Sequence, residues 1–253
     1  MAQNATQYVG SNRTGAPLQV ARENELLACL PLAVKALWFP HLELVDLNEG
    51  ETLHKPDGLM PYVHFPLTAI IAQLYSLENG ESAGSALIGY EGLVGFPVIL
   101  GGDSTSSRAV VLIAGEAWRV KAPFLQDQVR SVPSVLRLML RFVQAMMTQM
   151  NQTAVCNRHH STVQQVCRLL LMIAERLPVS DFPMTQGLLA ATLGVRRESV
   201  TEAAGLLQRE GLIRCRRGHV TVLDRLGLQR RACECYRVVR QEYARLLPYR
   251  AAT

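Results

Sequence analysis

Hydrophobic and polar positions divide the chain into stretches of different period. Residues 24–39 carry Leu26, Leu27, Leu30 and Leu37 at spacings suited to short helices, interrupted by Pro31. From about 41 to 124 the apolar residues come in short, often β-branched runs, at 42–47, 62–65, 69–75, 86–90, 109–114 and 117–120. Runs of this length bounded by turn residues predict strands. Asn48-Glu49-Gly50, Pro56-Asp57-Gly58, Glu78-Asn79-Gly80 and Gly101-Gly102-Asp103 supply the turns, because Gly, Asn and Asp tolerate positive φ and Pro pre-sets a turn. No long amphipathic helix alternates with these strands. That argues against a doubly wound sheet and for a small antiparallel sandwich or jelly-roll barrel.

Beyond residue 133 the period becomes helical. Leu136, Leu140, Val143, Met147, Met150 and Ala154 recur at alternating spacings of 4 and 3, which keeps one seam facing a partner. Val135, Met139, Phe142 and Met146 form a second stripe beside it, and Pro133 suits a first helical turn. One stripe is expected to cover the strands. The other meets a second helix, from a second subunit or from the same monomer. A further helix over 162–177 turns Val163, Val166, Leu169, Leu170 and Ile173 toward a core.

The segment from Met184 onward carries the most specific signal. Thr185 can cap a short helix that buries Leu188, Leu189 and Leu193; Gly194 permits a sharp turn, and Val195 can wedge between two helices. The second helix, 196–209, buries Val200, Ala203, Ala204 and Leu207 and leaves Arg196, Arg197, Ser199 and Glu202 outward. A short helix, a glycine turn and a helix with a polar N-terminal end make a helix-turn-helix. Residues 212–215 and 219–222 then alternate around Arg216-Arg217-Gly218 as a two-stranded wing, where Arg214, Arg216 and Arg217 can meet phosphates. The last segment, 224–247, reads as one helix capped by Asp224, with Ala232, Tyr236, Val239, Tyr243 and Leu246 on one stripe that packs on the reader head or on a dimer mate.

Charge sharpens this division. The 253 residues carry a formal charge of +5, but residues 1–150 hold −3 and residues 151–253 hold +8. A polyanion partner is therefore expected for the C-terminal part alone. Hydrophobic residues make up 49% of the chain, enough for a substantial core. The densest apolar run, 169–174, is too short to span a bilayer, and the polar first fifteen residues do not resemble a secretory signal, so a soluble cytoplasmic protein is expected. There is no P-loop, HExxH, GxSxG elbow or glycine-rich dinucleotide turn, which leaves an enzyme without local support.

The chain resembles the Crp/Fnr family of bacterial transcription regulators. The likeness is sharpest over T185-Q-G-L-L-A-A-T-L-G-V-R-R-E-S-V-T and L206-L-Q-R-E-G-L-I, and N151-Q-T-A-V-C-N-R-H-H, R217-G-H-V-T-V-L-D-R and A232-C-E-C-Y-R-V-V-R mark a subgroup. Residues 1–20, polar and with Gly10, Gly15 and Pro17, read as a flexible tail. The resemblance implies an α+β chain beyond it: a cyclic-nucleotide-binding-like jelly-roll barrel over 21–131, a dimerisation helix over 132–158 and a winged helix-turn-helix over 159–253. It implies a homodimer on an inverted repeat of double-stranded DNA, RNA polymerase as a further partner and no membrane. Arg197 and Glu198 match the family's base-reading pair; Arg can grip guanine O6 and N7, and Glu accepts from cytosine N4. Arg196 matches another readout position, Ser199 is a further contact, and Thr185 and Gln186 match the point where the first helix meets the DNA backbone. Glu202 stands where one branch has an arginine, so that branch's operator does not carry over.

The effector stays unassigned. Cyclic-nucleotide binders of the family use a Gly-Glu step and an Arg-Ser/Thr pair. Here Gly95 is followed by Phe96 and Arg108 by Ala109, so Phe96 and Arg108 mark a possible effector pocket from which cyclic AMP is not expected. A family iron–sulfur cluster needs an N-terminal cysteine group, and only Cys29 precedes residue 156. Nothing selects a haem ligand among His41, His54 and His64. Cys156 lies four residues before His160, and Cys233 lies near Cys235, yet two ligands alone do not close a zinc site. No metal ligand is assigned, and Cys156 and Cys167 read as core residues. The alternatives are an effector-independent regulator with a purely structural N-terminal domain, a non-DNA interaction protein, or an enzyme.

Overall fold

Asn24 caps α1 (Glu25–Ala28): its side-chain oxygen accepts the Leu26 and Leu27 N–H groups, and its amide donates to the Pro66 and Gly92 carbonyls. In this computed structural model the described residues are 23–247, so the tail expected over 1–20 lies outside them. Pro31 separates α1 from α2 (Leu32–Trp38), whose Trp38 is fully buried and donates its indole N–H to Gln128. Seven strands follow: β1 (Glu43–Leu47), β2 (Thr52–His54), β3 (Tyr62–Pro66), β4 (Ile70–Ser76), β5 (Ser82–Ile88), β6 (Arg108–Ile113) and β7 (Gly115–Lys121).

Helices dominate the rest. They are α3 (Ala122–Ser131), α4 (Pro133–His159), α5 (Thr162–Arg176), α6 (Gln186–Leu193), α7 (Arg197–Arg209), α8 (Arg225–Arg231) and α9 (Glu234–Leu246). A small antiparallel sheet of β8 (Asp181–Pro183), β9 (Ile213–Arg216) and β10 (His219–Val222) lies among them. β2, α3 and β8 do not stand out in the hydrophobic pattern of the chain. β2 and β8 have three residues each, too few for a period to show.

The expected jelly-roll barrel does not form. The N-terminal strands make two open antiparallel sheets, one ordered β1-β7-β3 and one ordered β2-β6-β4-β5, so the architecture is α+β with an unclosed sandwich. Closure requires hydrogen bonding around the full circuit. Here β2 is short and slips register between Thr52 and His54, while β5 is flanked by α4 and α6 instead of by another strand. Further slips at Ile70/Ile71 and Gln73/Leu74 bend the second sheet.

That second sheet is buried on both sides. Ile71, Ala86, Ile88, Ala109 and Val111 join the larger core with α4. Ile70, Ala72, Leu74, Leu87, Leu112 and Ile113 join a second core with Val166, Leu169, Leu170 and Ile173 of α5. The C-terminal half is therefore seated directly on the N-terminal sheet.

On α4 the two stripes separate as their spacing demands. Val135, Met139, Phe142 and Met146 are buried against the sandwich. Of the other seam, Leu140, Met147 and Ala154 are exposed and Leu136 and Met150 half-buried, whereas Val143 is buried and belongs to the inner face. The single helix expected over 224–247 is two helices, broken where Ala232 and Cys233 take extended backbone (ψ 155° and 165°). The break sends α9 back along α4: Val239, Tyr243 and Leu246 enter the larger core, and the Tyr243 hydroxyl donates to Met146 Sδ (3.4 Å). The first part, α8, packs on the reader head as expected, with Leu228 in its core, whereas α9 packs mainly on α4 and only Tyr236 reaches α5's core.

A buried ion pair crosses the junction. Arg176, in the last turn of α5, donates from Nε (2.9 Å) and Nη2 (2.5 Å) to Glu91 Oε1, and from Nη1 to the Met172 carbonyl (2.6 Å). The two side chains are 4% and 1% exposed, so solvent screens neither. Removing one partner of such a pair strands a charge and costs about 3–5 kcal/mol. Arg176→Met should lower the unfolding free energy by about that amount in a urea titration, and adding Glu91→Gln should return much of the loss.

Burial also holds His64 neutral: desolvation, then Arg119, then His54 push its pKa down to about 4. The unfolded chain takes up this proton near pH 6.5 and the folded chain only near pH 4. Stability is therefore full above pH 6.5 and falls as pH drops toward 4. From pH 7 to 4.5 this one site should remove about 2–3 kcal/mol. Urea titrations of His64→Gln and the parent at the two pH values measure it: the variant's loss should be smaller by that amount.

Candidate nucleic-acid interface

Local chemistry sets the reader's shape. The Thr185 hydroxyl accepts the Leu188 N–H (3.1 Å) and starts α6. Gly194, in the left-handed region (φ 68°), ends it and offers the Ala190 carbonyl an N–H. A side chain at Gly194 would also come within 2.7 Å of the Ala83 methyl on β5, so the turn needs glycine for conformation and for space. Val195 packs half-buried into the second core.

Helix α7 turns Val200, Ala203, Ala204 and Leu207 inward. That leaves Arg196 at its N-cap and Arg197, Glu198 and Glu202 exposed, with Ser199 half-buried. Thr201 on α7 donates to Gln186 on α6 (2.9 Å), which fixes the angle between the helices at the exposed end.

The wing supplies the second half of the surface. β9 and β10 are joined by a tight turn with Arg217 at φ 50° and Gly218 at φ 82°, the two left-handed positions of a type I′ hairpin. Arginine in that region is strained by about 1–3 kcal/mol. Arg214, Arg216 and Arg217 are exposed on the wing. Behind it, Asp181 on β8 accepts from Thr221 Oγ1 (2.6 Å) and pairs with His219 Nδ1 (3.0 Å). The Thr221 hydrogen bond first, then His219, holds its carboxyl below the usual range.

An open groove between wing and helices is lined by Thr185, Gln186, Arg197, Arg216, Arg217 and His219. Five of the ten residues assigned to DNA from sequence, Thr185, Gln186, Arg197, Arg216 and Arg217, thus line one groove. Among the described residues no carboxylate forms an ion pair with Arg196, Arg197, Arg214, Arg216 or Arg217. The α7 N-terminus adds outward N–H groups and the positive end of its helix dipole. The face is built to take an anion.

The effector residues are arranged differently. Phe96 sits in a short 3-10 turn and packs against the larger core, while Arg108 is half-buried at the start of β6 with Nε buried and unbonded among the described residues. Of the histidines, His41 is exposed and stacks on Phe124 (4.1 Å between centroids), whereas His54 and His64 are buried. Burial lowers the His54 pKa as well.

The fold does unite two pairs that look incomplete in sequence. Cys156 and His160, at the end of α4, meet Cys233 and Cys235, at the start of α9; their donor atoms all lie within 4.8 Å of one another. The hydrogen bond from Cys233 lowers the Cys156 thiol to about 5, and the same contact raises Cys233. Cys167, by contrast, is pushed by burial up to about 12. The signal was present as C-x3-H and C-x-C, but only the break at Ala232–Cys233 joins them.

Residues 164–231 match the sequence model of the Crp-like helix-turn-helix domain. A comparison with curated proteins returned no match. Among solved structures, FixK2 of Bradyrhizobium japonicum superposes with a TM-score of 0.66 at 17% identity, covering 76% of this chain and 98% of that one. A Crp/Fnr-family regulator of Eubacterium rectale gives 0.65 at 17% identity, over 82% and 98%. The c-di-GMP-responsive regulator CLP of Xanthomonas campestris gives 0.62 at 13% identity, over 77% and 100%. No described helix is long and apolar enough to cross a membrane. Residues 164–231 therefore form a Crp-like helix-turn-helix domain, and the chain as a whole shares its fold with solved regulators of the Crp/Fnr type.

Proposed function

We propose that this protein is a sequence-specific transcription regulator that binds inverted-repeat DNA as a homodimer. The observation that carries the reading is the exposed N-terminal end of α7, where Arg196 and Arg197 have no ion-pair partner among the described residues and Arg197 lines the same groove as the wing. Arg197 reads guanine through two hydrogen bonds and Glu198 accepts from cytosine, with Arg196, Ser199 and Glu202 alongside. Thr185, Gln186 and the wing arginines Arg214, Arg216 and Arg217 hold the phosphates and set register without reading sequence.

The second copy docks through the outward seam of α4. Leu140, Met147 and Ala154 are exposed one heptad apart, and Leu140 and Met147 remain 46% and 57% accessible. Such a row on a 27-residue helix suits a two-fold helix pair. Pairing places two reading helices about 34 Å apart, one turn of duplex. RNA polymerase is the partner that a DNA-bound dimer would engage. Cyclic AMP is not the effector of the N-terminal domain in this reading, since Phe96 cannot accept the ribose hydrogen bonds that a glutamate would; the domain either takes another ligand or serves structure alone.

Competition binding across a salt series tests the DNA assignment. Arg197→Ala should cost about 1–3 kcal/mol on the preferred site and flatten discrimination at one base pair. The Arg216→Ala/Arg217→Ala double variant should weaken all sequences alike and reduce the salt slope by about two. Unchanged affinity and selectivity in both would defeat the assignment. Sedimentation tests the seam: Leu140→Glu with Met147→Glu, both exposed in the monomer, should leave the fold intact and shift the protein from dimer to monomer.

A further inference from the structure

We infer that Cys156, His160, Cys233 and Cys235 form a closed, four-coordinate zinc site that pins the start of α9 to the end of α4. Cys156 and Cys233 Sγ lie 3.5 Å apart, and Cys235 Sγ lies 3.6 Å from His160 Nδ1. In a tetrahedral site with Zn–S near 2.3 Å and Zn–N near 2.0–2.1 Å, two sulfurs are about 3.8 Å apart and a sulfur and nitrogen about 3.6 Å. These two donor pairs stand close to that spacing, and all four donor atoms lie within 4.8 Å of one another, near enough to close on a single ion.

Three further features fit a metal better than a packed core. The three buried cysteines form a small cluster separate from both hydrophobic cores. His160 offers Nδ1 to the cluster while its Nε2 lies 3.3 Å from Glu234 Oε2. A carboxylate on the far ring nitrogen is the arrangement that orients a metal-binding histidine. Finally, three thiolates and a neutral imidazole around Zn2+ carry one net negative charge. Arg168 of α5 is buried beside Cys156, its Nη2 donating to Thr153 and its Nε without a hydrogen-bond partner among the described residues. Its charge offsets that of the site. A thiolate-rich tetrahedral set selects zinc over hard cations, and donors gathered within 4.8 Å surround one ion, not a multi-iron core.

The position gives the site its consequence. His160 is the C-cap of α4, immediately before the Ser161 capping box that starts α5. The ion would hold the link between dimer helix and reader at the point where α9 folds back. This inference is independent of DNA binding and is tested without it.

Full-length protein purified without chelators and supplied with zinc should hold about one zinc per chain by elemental mass spectrometry. Cys233→Ser and Cys235→Ser should each lower that content at least tenfold, and Cys29→Ser and Cys167→Ser should leave it unchanged. Glu234→Gln, a positioning change, should keep the ion but weaken its binding about 10–100-fold. Should the serine variants fail to fold, a mercurial thiol titration of the unaltered chain with a chromogenic chelator is read instead, and zinc should leave as the cluster thiols react. Cobalt in place of zinc should give the intense visible bands of a tetrahedral thiolate site. A chain that stays metal-free, that binds stoichiometric iron or copper instead, that holds a Cys156–Cys233 disulfide, or that keeps its zinc after both serine substitutions would overturn the proposal.

Discussion

A four-stranded sheet with two apolar faces is the constraint on which the rest of the molecule depends. An open sheet with one wet face would give a free-standing N-terminal domain. Here β4, β5 and β6 send alternate side chains into both cores, and α5 covers the face that would otherwise meet water. Each large aliphatic side chain buried there contributes about 1.5–3 kcal/mol. Exposing Ile70, Leu74, Leu87, Leu112 and Ile113 together by lifting the reader away would forfeit a large part of a domain's stability.

This seating explains features that look unrelated. Glu91 and Arg176 are a tolerable buried pair only because the junction excludes water and their hydrogen bonds are made within it. Gly84 and Gly194 sit where α6 closes on β5; a Cβ on Gly84 would come within 2.6 Å of the Thr192 carbonyl. α9 adds a second strap on the opposite side, along α4. The turn at Gly89–Glu91 therefore touches the reader's α5 directly, so any displacement of that turn is felt at the helix carrying the reader. Rigid-body repacking at such an interface is a known way for a sensing domain to redirect another.

The sequence was most legible where a local rule determines structure. Thr185, Gly194 and the buried set Val200, Ala203, Ala204 and Leu207 define the helix-turn-helix from spacing alone, and Arg217-Gly218 marks the wing turn. The inner stripe of α4 was equally plain, although Val143 fell on the inner face because a straight helix drifts against a seven-residue repeat. What failed was non-local. Strand runs say nothing about whether β2 and β5 find partners at their outer edges, so the pattern is equally compatible with a closed barrel and with the two open sheets that form. The run Ala69-Ile70-Ile71-Ala72, with no polar alternation, does carry the mark of a strand buried on both faces. The cysteine cluster joins residues 77 positions apart, and no period reveals such a meeting.

Native-state hydrogen exchange tests the seating most directly. If the two-faced sheet holds the halves together, the amides of β4 at 70–74 and those of α5 at 166–173 should open with the same free energy, in one cooperative unit. Exchange of α5 through α7 at a markedly lower free energy, while β4 stays protected, would show the reader to be an independent body and contradict the account.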